Sequence, residues 1–196
     1  MTRIVAGSAK GRVLAVPAKG TRPTSERVRE ALFSRLDHWG ALGGAHVLDL
    51  YAGTGALALE ALSRGAASAA LIEKSAAAAR LAACNASACA LPARVHTADA
   101  RAYLAARTGP ELGGEAGLVL IDPPYSAPES EVAAVLALLG PWIAPDCVVV
   151  VERPKRAPAP ALPSFLVLED TRAWGETAAH FAAPPAPGGP DEGGSR

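Results

Sequence analysis

The chain has 196 residues, half of them apolar, and its 19 Lys and Arg balance 19 Asp and Glu. This length suits one domain with a full core, the composition excludes a disordered body, and no apolar run reaches the about 18–20 residues of a bilayer span. With no signal-peptide layout at the N-terminus, the expectation is a soluble, cytoplasmic protein without a membrane partner.

The charge is unevenly spread. Residues 1–36 hold eight Lys and Arg against Glu26 and Glu30, and the remainder holds eleven bases against seventeen acids. A basic arm on an acidic body points to a polyanionic partner, the plainer alternative being a solvated face. Within the arm, residues 2–6 and 12–17 alternate about Gly7-Ser-Ala-Lys-Gly11 and predict a short hairpin with a basic tip. A turn-rich loop over 19–25 follows, and Ser25 is expected to cap a helix over 26–39 with Val28, Leu32, Phe33 and Leu36 on its apolar face.

From residue 45 onward strand and helix alternate, the pattern of a parallel sheet. Strands are predicted at 46–50, 69–73, 93–97, 117–121 and 147–152, and helices at 56–64, 75–89, 100–107 and 129–139. Two last strands, near 165–171 and 177–182, have no room for a helix between them and predict an antiparallel hairpin at the sheet edge. Loops are expected at 108–115 and over the Pro-rich 153–163; residues 184–196, rich in Pro and Gly, are expected to be disordered. The chain thus reads as a basic N-terminal unit (1–40), an α/β body (41–183) and a tail (184–196). Cys84, Cys89 and Cys147 show no CxxC spacing and the four histidines form no ligand-spaced pair. No metal site is therefore expected, and the cysteines read as packing residues, the first two on different faces of one helix.

The most informative segment is Asp122-Pro123-Pro124-Tyr125, directly after the apolar run Gly117-Leu-Val-Leu-Ile121. An apolar run of that length reads as a buried parallel strand, so the acid falls at the strand's carboxyl end, where open α/β sheets keep their ligands. Two prolines fix two φ angles and remove two donors, which leaves a stiff cluster of acceptors beside an aromatic ring. An exocyclic amino group on a planar base requires that environment.

A second constellation follows the first strand of the sheet. Asp49-Leu-Tyr-Ala52-Gly53-Thr-Gly55 opens a helix, and its glycines allow tight turning and close backbone approach to a ligand. Gly53-x-Gly55-x-x-Ala58 also matches the dinucleotide fingerprint, and Glu73 at the end of the next strand suits ribose hydroxyls for either a nicotinamide cofactor or S-adenosylmethionine. Asp49 argues for the second: a carboxylate there repels a pyrophosphate and suits a cationic methionine end. Asp99 is placed either to accept from an adenine amino group or to cap the following helix.

Taken in order, Asp49-x-x-Ala-Gly-Thr-Gly55, Glu73, Asp99 and Asp122-Pro-Pro-Tyr125 resemble the seven-stranded S-adenosylmethionine-dependent methyltransferases. Arg3-Ile-Val-Ala-Gly-Ser-Ala-Lys-Gly-Arg12 and Arg22-Pro-Thr-Ser-Glu-Arg-Val-Arg-Glu-Ala-Leu-Phe33 are similar to the bacterial 16S ribosomal RNA guanine-N2 methyltransferases of the small subunit, whose family name assigns guanine 966. Similarity runs from about residue 3 to 182, with mild departures at Ala6 and Lys10. The resemblance implies a Rossmann-like seven-stranded sheet with a terminal antiparallel hairpin and a small N-terminal β-hairpin. It implies S-adenosylmethionine held by Thr24, Asp49, Ala52, Gly53, Gly55, Glu73, Lys74, Asp99, Ala100 and Asp122. Asp122 and the Pro123 carbonyl would accept the two N–H bonds of a guanine amino group, with Tyr125 stacked on the base. Arg3, Lys10, Arg12, Arg22 and Arg27 would meet RNA, with Arg22, Thr24 and Arg27 also candidates to close over the cofactor. Arg27 and Arg29 cannot share a helix face, so one of them is expected to pair with Glu26 or Glu30. The implied partner is 16S rRNA in an assembling 30S subunit, met by a monomer. An adenine-N6 DNA methylase would need a target-recognition domain for which there is no room, and a glutamine-amide methylase usually opens the Pro-Pro motif with Asn. An NAD-dependent oxidoreductase and a non-enzymatic RNA-binding module are the readings from other classes.

Overall fold

The computed structural model describes residues 2–17, 26–106 and 115–186. The predicted Ser25 cap, the 19–25 loop, nearly all of the 108–115 loop and most of the tail lie outside these residues. In chain order the elements are β1 (Thr2–Arg3), β2 (Val13–Leu14), α1 (Glu26–His38), β3 (His46–Leu50), α2 (Ala56–Ser63), β4 (Ser68–Glu73), α3 (Ala76–Cys89), β5 (Ala93–Thr97), α4 (Ala100–Ala105), β6 (Ala116–Ile121), α5 (Glu129–Ala137), β7 (Ile143–Pro154), β8 (Val167–Trp174) and β9 (Thr177–Ala183).

Seven strands form one sheet in the order β5-β4-β3-β6-β7-β9-β8. The first five pair in parallel, and β9 runs antiparallel between β7 and β8. The parallel strands are those that the alternation predicts, and the whole is the Rossmann-like seven-stranded sheet that the resemblance implies. The expected terminal hairpin is present, with its second strand inserted next to β7 and its first strand outermost. Glu169, Asp170 and Arg172 keep that outer strand polar, which discourages further strand pairing.

The central strands are buried on both faces because helices cover both. Val47, Leu71, Leu118, Leu120, Val150 and Phe181 face a layer built by α1, α2 and α3; Leu48, Leu50, Ile72, Val119, Ile121 and Val151 face α4 and α5. In the first layer α1 contributes Leu32, Phe33 and Leu36, each fully buried and each worth roughly 1.5–3 kcal/mol.

Three departures from the predicted elements have local causes. The N-terminal hairpin has strand pairing at Thr2↔Leu14 and Arg3↔Val13, extended by Ile4 N–H on the Arg12 carbonyl and Gly11 N–H on the Ile4 carbonyl, each at 2.9 Å. Toward its tip other backbone donors turn to α2: Val5 and Ala6 N–H bond the Glu60 carboxylate at 2.7 and 3.0 Å, and Ala9 N–H bonds Ser63 Oγ at 2.9 Å. β7 starts at Ile143, ahead of the predicted 147, and its pairing with β6 slips between Ala116 and Leu118. Pro145, which has no N–H, falls in the slipped stretch. Cys84 is exposed, so it is not a packing residue, whereas Cys89 and Cys147 are buried.

Candidate active site

The site is built at the carboxyl ends of β4, β3, β6 and β7. Leu50 pairs with Ile72 on one side and Ile121 on the other, and Ile121 pairs with Val151. One residue further along, the same register lines up Glu73, Tyr51, Asp122 and Glu152 across four adjacent strands. The strand order reverses beside β3, which is where ligands enter open α/β sheets.

Asp49, the penultimate residue of β3, turns toward α2. Helix α2 begins at Gly55, whose φ of 82° is left-handed and which has no side chain to cap the helix. A Cβ there would lie 2.8 Å from Leu71 Cδ2. Asp49 supplies the missing cap from the strand: its Oδ2 accepts the Ala58 N–H at 3.2 Å. Its Oδ1 is buried with no hydrogen-bond partner among the described residues. Burial pushes the Asp49 carboxyl up to about 8, with Asp122 and Glu73 adding to the rise and the Ala58 bond opposing it. An ionised carboxylate in this place calls for a cation.

The glycine loop is braced from β4. Glu73 accepts Gly53 N–H at 2.8 Å and Ser75 N–H at 2.6 Å, one bond on each oxygen, so each keeps further acceptor capacity. Asn85 of α3 ties the loop to the N-terminal arm: its amide donates to the Thr54 and Ala15 carbonyls and accepts the Ala15 N–H. Tyr51, in the left-handed region at φ 69°, donates from its hydroxyl to Glu131 of α5 at 3.2 Å. Burial first, and then Glu131, hold that phenol well above its ordinary range.

Asp99 is the N-cap of α4, accepting the Ala102 N–H at 3.2 Å, and Lys74 Nζ reaches its other oxygen at 3.3 Å. The Ala102 bond leads the causes that hold its carboxyl below the usual range. Of the two roles open to Asp99 in the sequence, capping is thus filled. Ala100 opens the helix behind it.

Asp122 stands just past the end of β6. Burial raises its carboxyl to about 6, and among the described residues its side chain takes part in no hydrogen bond. The loop after it is closed by Ala127 N–H on the Pro124 carbonyl at 2.8 Å. From β7, the buried Arg153 donates to the Ala127 carbonyl at 3.0 Å and pairs with Glu129. Pro123 is buried. Tyr125 is 56 % exposed, its hydroxyl 3.4 Å from Thr177 Oγ1, so the ring is available to a flat ligand.

A cleft of about 940 Å³ joins these groups. Asp49, Ala52, Gly53, Glu73, Lys74, Asp99, Ala100, Asp122, Pro123 and Tyr125 all border it. Gly55 does not border it and acts from behind, as the turn that starts α2. Tyr51, Glu131, Glu152 and the Trp174–Thr177 turn border it as well and were not singled out from the sequence as site residues. Glu152 carried the same signal as Glu73, an acid at the end of an apolar strand. Asn85 is a lone amide in an alanine-rich helix, and only the tertiary structure shows what it holds.

The basic residues are placed differently. Arg3, Lys10, Arg12 and Arg27 are exposed and do not line the cleft, and Arg3 pairs with Glu26 at 3.0 Å. Arg22 and Thr24 lie outside the described residues. Arg29 corrects the sequence reading: it is 1 % exposed, donates to the Arg3 carbonyl and faces Glu60 at 3.5 Å, not Glu26 or Glu30. Burial lowers its pKa, with Glu60 opposing. It ties the arm to the body and is not a phosphate contact.

The chain is 36 % identical over 178 residues to the ribosomal RNA small subunit methyltransferase D of Escherichia coli strain K12, covering 90 % of this chain and 86 % of that one. A solved structure of a candidate methyltransferase from Escherichia coli superposes with a TM-score of 0.81 at 33 % identity, over 94 % of this chain and 98 % of that one. A hypothetical protein of Thermus thermophilus superposes with a TM-score of 0.79 at 31 % identity, over 92 % and 98 %. The family described as conserved hypothetical protein 95 matches residues 2–183. With that match spanning nearly the whole chain, and with a methyltransferase among relatives aligned almost end to end, the chain belongs to the conserved hypothetical protein 95 family of methyltransferases.

Proposed function

We propose that this protein transfers a methyl group from S-adenosylmethionine to the exocyclic N2 of a guanine in 16S ribosomal RNA, the position named 966 in the family. The donor's cationic methionine end fits the buried, unmet Oδ1 of Asp49, and its ribose fits the remaining acceptor capacity of Glu73. Lys74, Asp99 and Ala100 border the same cleft toward α4, where the adenine would lie. When bound, S-adenosylmethionine supplies an electrophilic methyl group.

The protein's part is to make a reluctant nitrogen nucleophilic. A guanine amino lone pair is delocalised into the ring. Asp122 and the Pro123 carbonyl accept its N–H bonds, localise the lone pair and stabilise the positive charge that develops on nitrogen as the methyl group would leave sulfur for nitrogen, the thioether departing and the nitrogen giving up one proton. The Pro-Pro turn and Arg153 hold those acceptors fixed, so little reorganisation accompanies reaction. Tyr125 stacks on the base, which has left its helix or was never paired. Arg3, Lys10, Arg12, Arg22 and Arg27 on the arm (1–40) meet phosphates and set orientation, while residues 41–183 form the catalytic body. The substrate is the RNA in an assembling 30S subunit, and the enzyme works as a cytoplasmic monomer.

The observation that carries this reading is Asp122: an acceptor at the head of a stiff loop, in one cleft with Asp49's unmet oxygen. The test is methyl transfer from labelled S-adenosylmethionine to undermethylated small-subunit particles, followed by mapping of the modified base. Label on a guanine N2 with the native protein, and its loss with Asp122→Ala, is the expected result. Label elsewhere, or undiminished turnover of the variant, overturns it.

A further inference from the structure

We infer that Glu152 reads the N1–H of the target base and so makes the site selective for guanine over adenine. The inference rests on the guanine-N2 reading above and deepens it. Asp122 and a proline carbonyl accept from an amino group, and guanine and adenine both carry one. These acceptors alone do not tell the two apart. What differs is the neighbouring atom on the Watson–Crick edge: in guanine the amino group lies beside an N1–H donor, in adenine beside an N1 lone pair. A discriminating site therefore needs an acceptor-only group next to the amino acceptor.

Glu152 has that position and that chemistry. Ile121 pairs with Val151, so Asp122 and Glu152 follow side by side on neighbouring strands, whose spacing is about 4.8 Å. Both border the cleft, and Glu152 is 4 % exposed, on the fourth residue of the buried run that begins at Val149. Val150 faces the layer of α1, α2 and α3, and by alternation Glu152 faces the same way as Asp49. The next residue, Arg153, is turned to the other layer, where its guanidinium holds the Ala127 carbonyl and Glu129. An ionised carboxylate only accepts. Against guanine it completes a second charge-assisted hydrogen bond. Against adenine it sets lone pair against lone pair in a desolvated cleft.

The experiment uses small-subunit particles reconstituted with 16S RNA in which the target guanine is replaced by 2-aminopurine, which keeps the amino group and has a lone pair at N1. The native enzyme is expected to transfer methyl to 2-aminopurine ~10- to 100-fold more slowly than to guanine. Glu152→Gln, whose amide both donates and accepts, should raise the 2-aminopurine-to-guanine ratio at least about tenfold. S-adenosylmethionine affinity, measured by calorimetry, should be unchanged. Native enzyme that treats the two bases alike, or a variant whose ratio stays as it was, overturns the role of Glu152 alone. Native enzyme that leaves the guanine amino group unmethylated overturns the reading beneath it, and this inference with it. The comparison of bases with native enzyme needs no variant to fold.

Discussion

Asp49 caps a helix that its own strand precedes: Oδ2 accepts the Ala58 N–H at 3.2 Å, and Oδ1, on the same carboxyl, is buried without a partner among the described residues. One oxygen thus caps α2 and the other is unmet among the described residues. The carboxyl titrates at about 8 in the folded chain and near 3.8 when unfolded. The folded state binds more protons between those values, so stability without ligand should fall as pH rises from about 4 to about 8. Asp49→Asn keeps an oxygen for Ala58 and removes the charge. Thermal melts from pH 5 to 8 should show a flatter profile for the variant, together with a loss of stabilisation by S-adenosylmethionine.

Asp122 should act as the ionised acceptor. With its carboxyl near 6, the single-turnover rate should climb as pH rises through about 6 and level off above it, because the protonated form offers a donor where an acceptor is needed. Asp122→Asn should abolish this dependence and lower the plateau by about 10²-fold or more. A variant that retained the native pH profile would place the titration elsewhere.

Arg153 holds the loop after Asp122 from beneath through Ala127 and Glu129. Arg153→Met leaves a carbonyl and a carboxylate unmet and should cost ~2–3 kcal/mol in urea unfolding. Because the loop carries Asp122, kcat should fall more than KM rises. Arg153→Lys should recover part of the stability and less of the rate, since both bonds come from one terminal guanidinium nitrogen and the shorter lysine places its ammonium elsewhere.

Tyr125 offers its ring, and its hydroxyl makes only a 3.4 Å contact with Thr177. Tyr125→Phe should be close to native, whereas Tyr125→Ala should lose stacking worth ~1–3 kcal/mol. The readout is KM for particles, raised about tenfold or more by the second variant and little by the first.

Gly7 docks the arm against α2. Its φ is +81°, and a Cβ there would fall 1.7 Å from the Ser63 carbonyl oxygen. Gly11 has a similar φ of +82° and nothing within 4 Å of its Cβ position. Gly11→Ala should cost only the ~1 kcal/mol of left-handed backbone, while Gly7→Ala should dislodge the hairpin. Limited proteolysis of residues 2–17 separates the two outcomes.

Buried parallel strands are apolar nearly throughout, so runs such as Leu118–Ile121 announced the sheet, and Gly53 and the Pro-Pro turn announced where the chain bends beside the cleft. Asp49, Glu73, Asp99 and Asp122 were legible as a set because each lies at or near the carboxyl end of a predicted strand. Partnerships were not legible. Arg29 looked like a surface cation two residues from Arg27, yet only a fold that brings Glu60 beneath it explains its burial. Hairpin strands over 2–6 and 12–17 were over-read because alternation registers burial and does not say whether a neighbour strand or a helix side chain takes the N–H groups. Asn85 and Glu152 gain meaning only from elements distant in the chain.

The arm hangs from Glu60 and Ser63 by main-chain donors of Val5, Ala6, Ser8 and Ala9. Attachment written in backbone leaves the exposed side chains of the arm unconstrained, while Gly7 and the buried Ile4, Ala9 and Leu14 stay fixed. The outward residues of that segment can therefore be exchanged, changing the charge the arm presents, while the seat, which includes one acid and one serine on α2, stays the same.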